Sequence, residues 1–367
     1  KVPGAAILYE CVQTIMSIEA EGGLRVLAIN VLGKFLQSKD NNIRYVALNT
    51  LCKVVHRDAD AIQRHRNTVV DCLKDVDISI RRRALNLIYA LVTKNNVRAL
   101  VKELLNYLAL TNGGAEFKSD LVDKICNVVE RYAPSRVWHI VTMVQTLCIA
   151  GNVARDDVAV DLVALIARSK DLHAFAAHEL FAQLNHVDHM TQQPLAQVAL
   201  WTIGEFGDHL ISAESAARAT SMAAEAESTN SFHALAREDV LALVGAVMAH
   251  RETSEATQQA ALSCLAKLSQ RFTGDAQALA RIRELLGMHA RSSFIELQQR
   301  SCEYDVLVGV DSALRGKVLA RMPTFARVKG AKLDEDEASP SPVVAEPAAA
   351  PAAAAAAATP VAAAPAA

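Results

Sequence analysis

The sequence predicts an all-α chain of stacked helical repeats, and three observations carry that prediction. The first is a self-copy: Asp77-Ile-Ser-Ile-Arg-Arg-Arg-Ala-Leu-Asn-Leu-Ile agrees with Asp40-Asn-Asn-Ile-Arg-Tyr-Val-Ala-Leu-Asn-Thr-Leu at six of twelve positions. The offset is 37 residues, inside the range of about 30 to 47 that marks helical solenoids. The second is periodicity: apolar residues recur at three- and four-residue steps, as on one helix face, and no stretch alternates convincingly as a half-buried strand does. The third is punctuation. Of ten prolines only Pro3, Pro134, Pro194 and Pro323 precede residue 337, so the body is nearly free of the residue that most strongly interrupts helices.

Repeats of this kind, HEAT- or armadillo-like, stack so that each helix pair buries a face it cannot bury alone. The expected result is a curved rod with one continuous core and a long binding surface. The first stripe is Ile7, Leu8, Cys11, Ile15 and Ile18, on a helix over about Gly4 to Ala20. The second is Leu24, Leu27, Ala28, Val31, Leu32 and Phe35. Asp40 then stands ahead of Ile43, Val46, Ala47, Leu51 and Val54, where its carboxylate can cap the free amides of a first turn.

Further helices are expected at Ala61 to Lys74, Ile78 to Val92, Val97 to Leu110 and Phe117 to Tyr132. Pro134 suits the start of a helix over Ser135 to Ile149. Asp156-Asp157 opens another, at the end where the helix dipole favours negative charge. The rest lie at Asp171 to Leu184, Leu195 to Phe206, Glu238 to Ala249, Thr257 to Gln270, Ala276 to His289, Ile295 to Val308 and Ser312 to Arg321. Residues Ser212 to Ser231, rich in Ala, Ser and Glu without an apolar stripe, read as an exposed connection with room for a little helix.

Composition shifts near residue 330, dividing the chain into an α-solenoid over residues 1–329 and a tail over 330–367. The tail is acidic and then Pro/Ala-rich. Its alanine run Ala352 to Ala358 lies between Pro351 and Pro360, too short to offset the cost of helix nucleation, so a disordered linker is expected. Five tail acids against Lys332 give −4 of the total −2 and leave +2 on the body. A nearly neutral body lacks the basic footprint of a nucleic-acid binder.

Seven cysteines without a C-x-x-C pair read as reduced core residues of a cytosolic protein. No 18-residue apolar run and no signal peptide are visible, so membrane contact is expected to be peripheral. A chain that starts at Lys1 is expected to be a fragment of something longer.

No phosphate loop, dinucleotide fingerprint, nucleophile elbow or H-E-x-x-H is present, so neither an enzyme nor a cofactor is expected. Asp75-Val-Asp-Ile-Ser resembles the opening of a calcium loop but lacks the glycine at loop position six, and Arg81 to Arg83 would repel the ion. His186 and His189 read as polar residues of a solvated turn, and Gly204-Glu-Phe-Gly207 as a helix ending at a tight turn. Arg81, Arg82 and Arg83 are the candidate site. Near the start of a helix they could touch lipid phosphates or an acidic partner, or else bond within the repeat array. Arg64-His65-Arg66 divides in the same way.

The phrases Gly23-Leu-Arg-Val-Leu-Ala-Ile-Asn-Val-Leu-Gly-Lys-Phe-Leu, Asn42-Ile-Arg-Tyr-Val-Ala-Leu, Gln63-Arg-His-Arg and Asp71-Cys-Leu-Lys-Asp-Val-Asp-Ile-Ser-Ile-Arg-Arg-Arg-Ala resemble the trunk of the adaptin large subunits of clathrin adaptor complexes. Tyr132-Ala-Pro-Ser with Trp138-His-Ile, the run from Gln192 to Asp208, Glu296-Leu-Gln-Gln-Arg and Arg321-Met-Pro are similar to the gamma type. The likeness covers residues 1 to 329 in order. Val141 and the Ala/Ser-rich stretch Ser212 to Ser231 depart from it, where relatives carry acids.

The resemblance implies a non-catalytic scaffold of a heterotetramer with beta-, mu- and sigma-type subunits, here the second half of the trunk with the start of the hinge. It implies dileucine cargo signals held jointly with the sigma chain. It further implies recruitment by an Arf-type GTPase to trans-Golgi and endosomal membranes, with clathrin and accessory proteins on the hinge and appendage. The alternative is another α-solenoid binder, such as a nuclear transport receptor or a phosphatase scaffold.

Overall fold

The computed structural model describes residues 2–18, 22–111, 114–186, 192–225, 230–250 and 252–323, all within one compact unit, Lys1–Phe325. The linker expected over 330–367 and His189 lie outside the described residues. Among the described residues there is no strand. The chain is a succession of helices: α1 (Val2–Ser17), α2 (Gly22–Phe35), α3 (Asn41–Gln63), α4 (Arg66–Asp71), α5 (Ile78–Leu91), α6 (Val97–Leu110), α7 (Ala115–Tyr132), α8 (Arg136–Ala150) and α9 (Asp156–Arg168). Then follow α10 (His173–His186), α11 (Gln193–Leu210), α12 (Ala213–Glu225), α13 (Arg237–Ala249), α14 (Glu255–Arg271), α15 (Ala276–Gly287), α16 (Ile295–Gly309) and α17 (Ser312–Val318).

The two sequence copies become helices α3 and α5, which pack directly on each other. Their equivalent positions do the same work. Asp40 caps α3 by accepting from the Asn42 amide at 2.8 Å, and Asp77 caps α5 by accepting from the Ser79 amide at 2.8 Å. Ala47 and Ala84, Leu48 and Leu85, and Leu51 and Ile88 are all 0% exposed. A shared pattern of cap and buried stripe is what the 37-residue offset encodes. The stacking yields one hydrophobic core that runs unbroken from Val12 to Val308.

In the second half the spine passes through α10, α11, α14 and α16, each packed on the next. Helices α11 and α14 pack tightly at Gly204 and Gly207. A Cβ on Gly204 would lie 3.0 Å from the Cα of Cys264, and one on Gly207 would lie 2.5 Å from Cδ2 of Leu268. These glycines sit inside α11, not at its end as the sequence suggested. Their missing side chains are filled by the neighbouring helix, and the chain bends between them at Phe206 (φ −126°, ψ 19°) without stopping.

Three other expectations need correction. The helix expected over Ala61 to Lys74 does not form as one piece: α3 runs on to Gln63, bent at Asp58 (φ −130°, ψ 39°), and α4 follows after a break at His65. His65 is drawn instead to Asn30, whose Oδ1 lies 3.0 Å from its Nε2. The stretch Ser212 to Ser231 contains a helix of 13 residues, α12. It buries Ala216, Ala219 and Ala223 against α10, a stripe of helical spacing built from methyl groups and therefore invisible to a search for large apolar residues. In α1, Val12 is buried while Cys11 is exposed and Ile7 is 66% exposed, so the first stripe faces outward in part.

The cysteines divide similarly. All seven are free thiols, with Cys11 and Cys302 exposed. Burial pushes the thiols of Cys52, Cys72 and Cys148 up to about 11 and that of Cys126 up to about 12. These four are protonated packing groups, since the thiolate is the reactive form.

Candidate interaction surfaces

The arginine cluster at the start of α5 reaches in three directions. Arg81 lies over Phe117 of α7, its guanidinium carbon 5.2 Å from the ring centroid, and its Nε is buried without an acceptor. Arg82 donates to Glu116 of α7 at 2.9 Å. Arg83 turns back to α3, where Nε and Nη2 donate to the Tyr45 hydroxyl at 3.3 and 3.2 Å and the guanidinium covers the same ring. The three therefore tie α5 to the helices on either side. Arg82, with 45% of its side chain exposed, is the exposed member of the three, Arg81 and Arg83 being half-buried.

The copy position in α3 behaves likewise. Arg44 pairs with Asp75, in the turn before α5, at 2.6 Å. Asp75 also accepts from the Asp77 amide at 3.0 Å. Both carboxylates that open the calcium-like phrase are thus engaged by the repeat itself.

A second polar cluster was missed by sequence reasoning. Glu205, 3% exposed, lies on the α11 surface facing α14. Lys267 donates to it at 2.5 Å, and Arg271 at 3.4 Å. Arg321, just past α17, pairs with Asp208 at 2.6 Å. Partners separated by 62 to 117 residues leave no periodic trace. The one available signal was an acid framed by Gly204 and Gly207, where two helices touch too closely to leave a charge unpaired.

Histidines and aromatics fill the junction of α10, α11 and α12. His173 stacks on Phe206 with centroids 3.8 Å apart, and His178 stacks on Phe232 at 5.5 Å. Burial pulls the His178 imidazole down to about 4, against a hydrogen bond to the His209 backbone that raises it. Burial also lowers His173 and His209.

The folded chain holds these rings neutral while the unfolded chain protonates them near 6.5, so their stabilisation is present above about pH 6.5 and is lost as pH falls below it, for His178 down to about 4. For His178 alone the loss is roughly 2 kcal/mol at pH 5. Thermal melting should therefore be flat from pH 7 to 8 and fall between 6.5 and 5, with a shallower fall in His178→Phe. Equal slopes in the two chains would show that His178 does not carry the effect.

A helical-repeat body whose charged clusters bond one repeat to another defines a protein of the α-solenoid class. A family model described as "Adaptin N terminal region" matches residues 3–312, and the chain belongs to the adaptin family. It is 48% identical to AP-1 complex subunit gamma of Dictyostelium discoideum over 324 residues, covering 88% of this chain and 34% of that protein. It is 42% identical to AP-1 complex subunit gamma-2 of Arabidopsis thaliana, covering 89% and 36%. To AP-1 complex subunit gamma-like 2 of Mus musculus it is 40% identical, covering 93% and 42%. The chain thus spans between a third and a little over two fifths of these relatives.

A homology model of the full-length AP-3 complex in an intermediate open conformation shares the fold, with a TM-score of 0.56 at 16% identity over 86% of this chain and 59% of that one. The transport-receptor and phosphatase-scaffold alternatives are not favoured by these matches.

Proposed function

We propose that the chain is a scaffold portion of a gamma-type large subunit in a heterotetrameric clathrin adaptor complex. It acts without catalysis of its own in vesicle-mediated protein transport, cargo sorting and coat assembly between the trans-Golgi network and endosomes. The observation that carries this reading is the adaptin match over residues 3–312, laid on a single continuous helical core. Such an array holds globular partners by area, each stable one across more than about 1,000 Å².

In this reading the helices grip beta-, mu- and sigma-type subunits, and cargo signals bind jointly with the sigma chain. An Arf-type GTPase recruits the complex to the membrane. Residues 330–367 serve as a linker toward segments that engage clathrin and accessory proteins. Contact with the membrane is peripheral, in keeping with the lack of any described helix long and apolar enough to cross one.

Co-expressed with beta- and sigma-type subunits, the chain is expected to co-elute with them on size exclusion. A full-length subunit that binds neither would overturn the reading. Arg82 is the residue of its cluster that faces an acidic partner or anionic lipid in this scheme. Arg82→Glu should weaken binding to anionic vesicles or to the acidic subunit about fivefold or more. Melting temperature should hardly change, since an exposed pair such as Arg82–Glu116 contributes about 1 kcal/mol at most. Unchanged binding removes Arg82 from the interface.

A further inference from the structure

The last described residues return to a helix more than a hundred positions earlier, and they are held there as a ligand is held by a receptor. Nη2 of Arg321 donates to both carboxylate oxygens of Asp208, at 2.7 and 2.6 Å. Its Nε donates to the Glu205 carbonyl at 3.3 Å, and its guanidinium carbon lies 5.5 Å from the centroid of Phe206. An acid, a carbonyl and an aromatic face are the three groups a guanidinium binds best. All three belong to one turn of α11, the turn that leaves helical geometry at Phe206.

The backbone beside Arg321 is held as well. The Met322 amide donates to Glu205 Oε2 at 3.4 Å. The Ala320 carbonyl accepts from Lys267 at 3.0 Å, and the Leu319 carbonyl from Arg271 at 3.5 Å. The segment that leaves α17 is thus held through its main chain at Leu319, Ala320 and Met322 and through one side chain, Arg321, the combination by which peptide-binding sites hold a chain.

We propose that the turn Glu205–Asp208, with Lys267 and Arg271, is a binding site for an arginine in a non-helical segment, which the chain fills in cis with Arg321. Residues 319–323 are then a strap, and an arginine-bearing peptide of a partner is the class of ligand that can take its place. The ion pair of Arg321 with Asp208 is about two fifths exposed on each side, so its hold weakens with salt, whereas Glu205 stays buried between its cations.

Amide exchange on the full chain tests this. Arg321→Ala is expected to speed exchange at residues 319–322 and across the α11 bend at least tenfold, and Arg321→Lys less, because an ammonium lacks the planar fork. Raising sodium chloride from 0.1 to 1 M should speed exchange of the wild-type strap. A synthetic peptide of residues 318–323 at millimolar concentration should restore protection of the α11 bend in Arg321→Ala, and the same peptide with lysine in place of arginine should not. Should Arg321→Ala fail to fold, the Arg321→Lys chain and its salt series with the same two peptides decide the matter. Exchange that is indifferent to the substitution and to salt overturns the strap, and equal protection by both peptides, or by neither, overturns the arginine site.

Discussion

Replacing Glu205 with alanine is expected to lower the unfolding free energy by about 3–5 kcal/mol, the cost of removing one partner from a buried ion pair. Glu205 is 3% exposed and stands between Lys267 at 2.5 Å and Arg271 at 3.4 Å, whose side chains are only 21% and 12% exposed. Without the carboxylate, two cations are left together with little water, and burial already pulls the Arg271 guanidinium below its ordinary value. Glu205→Gln keeps the shape and part of the hydrogen bonding, and should fall between alanine and wild type. Denaturant unfolding measures the difference. A loss under about 1 kcal/mol for the alanine variant would place Glu205 with surface pairs such as Arg82–Glu116 and contradict the role assigned to it.

Gly204→Val should cost about 1–3 kcal/mol through overpacking. The added Cβ lies 3.0 Å from the Cα of Cys264 and 3.4 Å from the Cβ of Lys267. The nearest obstacle is backbone, which cannot rotate aside, so α11 and α14 must separate along the spine of the second half. Gly207 differs in kind, because the atom it meets, Cδ2 of Leu268 at 2.5 Å, belongs to a side chain. Leu268 is fully buried, yet it can be shortened. Gly207→Ala should therefore be destabilising alone and partly rescued by Leu268→Ala in a double-mutant cycle, whereas no shortening at Cys264 can rescue Gly204→Val. Rescue at both glycines would show that the close approach is set by side chains throughout.

Those two glycines also mark where the sequence stopped being informative. Within a repeat the signals are local and were legible: Asp40 and Asp77 cap the helices they precede, and the stripe from Ala84 to Ile88 is buried as its spacing demands. What a glycine does depends on the helix opposite, which its own neighbours do not reveal, and Gly204 with Gly207 therefore reads equally as a stop or as a contact. The alanine face of α12 escaped for a related reason, since Ala216, Ala219 and Ala223 contribute contact through closeness more than through size.

The candidate site divides the same way. Arg81 to Arg83 were conspicuous as a run, but their directions toward Phe117, Glu116 and Tyr45 follow from the placement of α3 and α7. The node at Glu205 joins residues from three separate segments and carried no signal until those segments were folded together.

The return of Arg321 to Asp208 closes a loop of 113 residues, and this changes how the array would bear tension. A stack of nearest-neighbour helices peels from its free end, one element at a time, at low force. A pull applied at Pro323 meets the α11 bend and α14 first, through Asp208, Glu205, Lys267 and Arg271 acting side by side. The load then enters the spine at its middle, through α11 and α14. Helices α15, α16 and α17 are bypassed, like the slack beyond a knot.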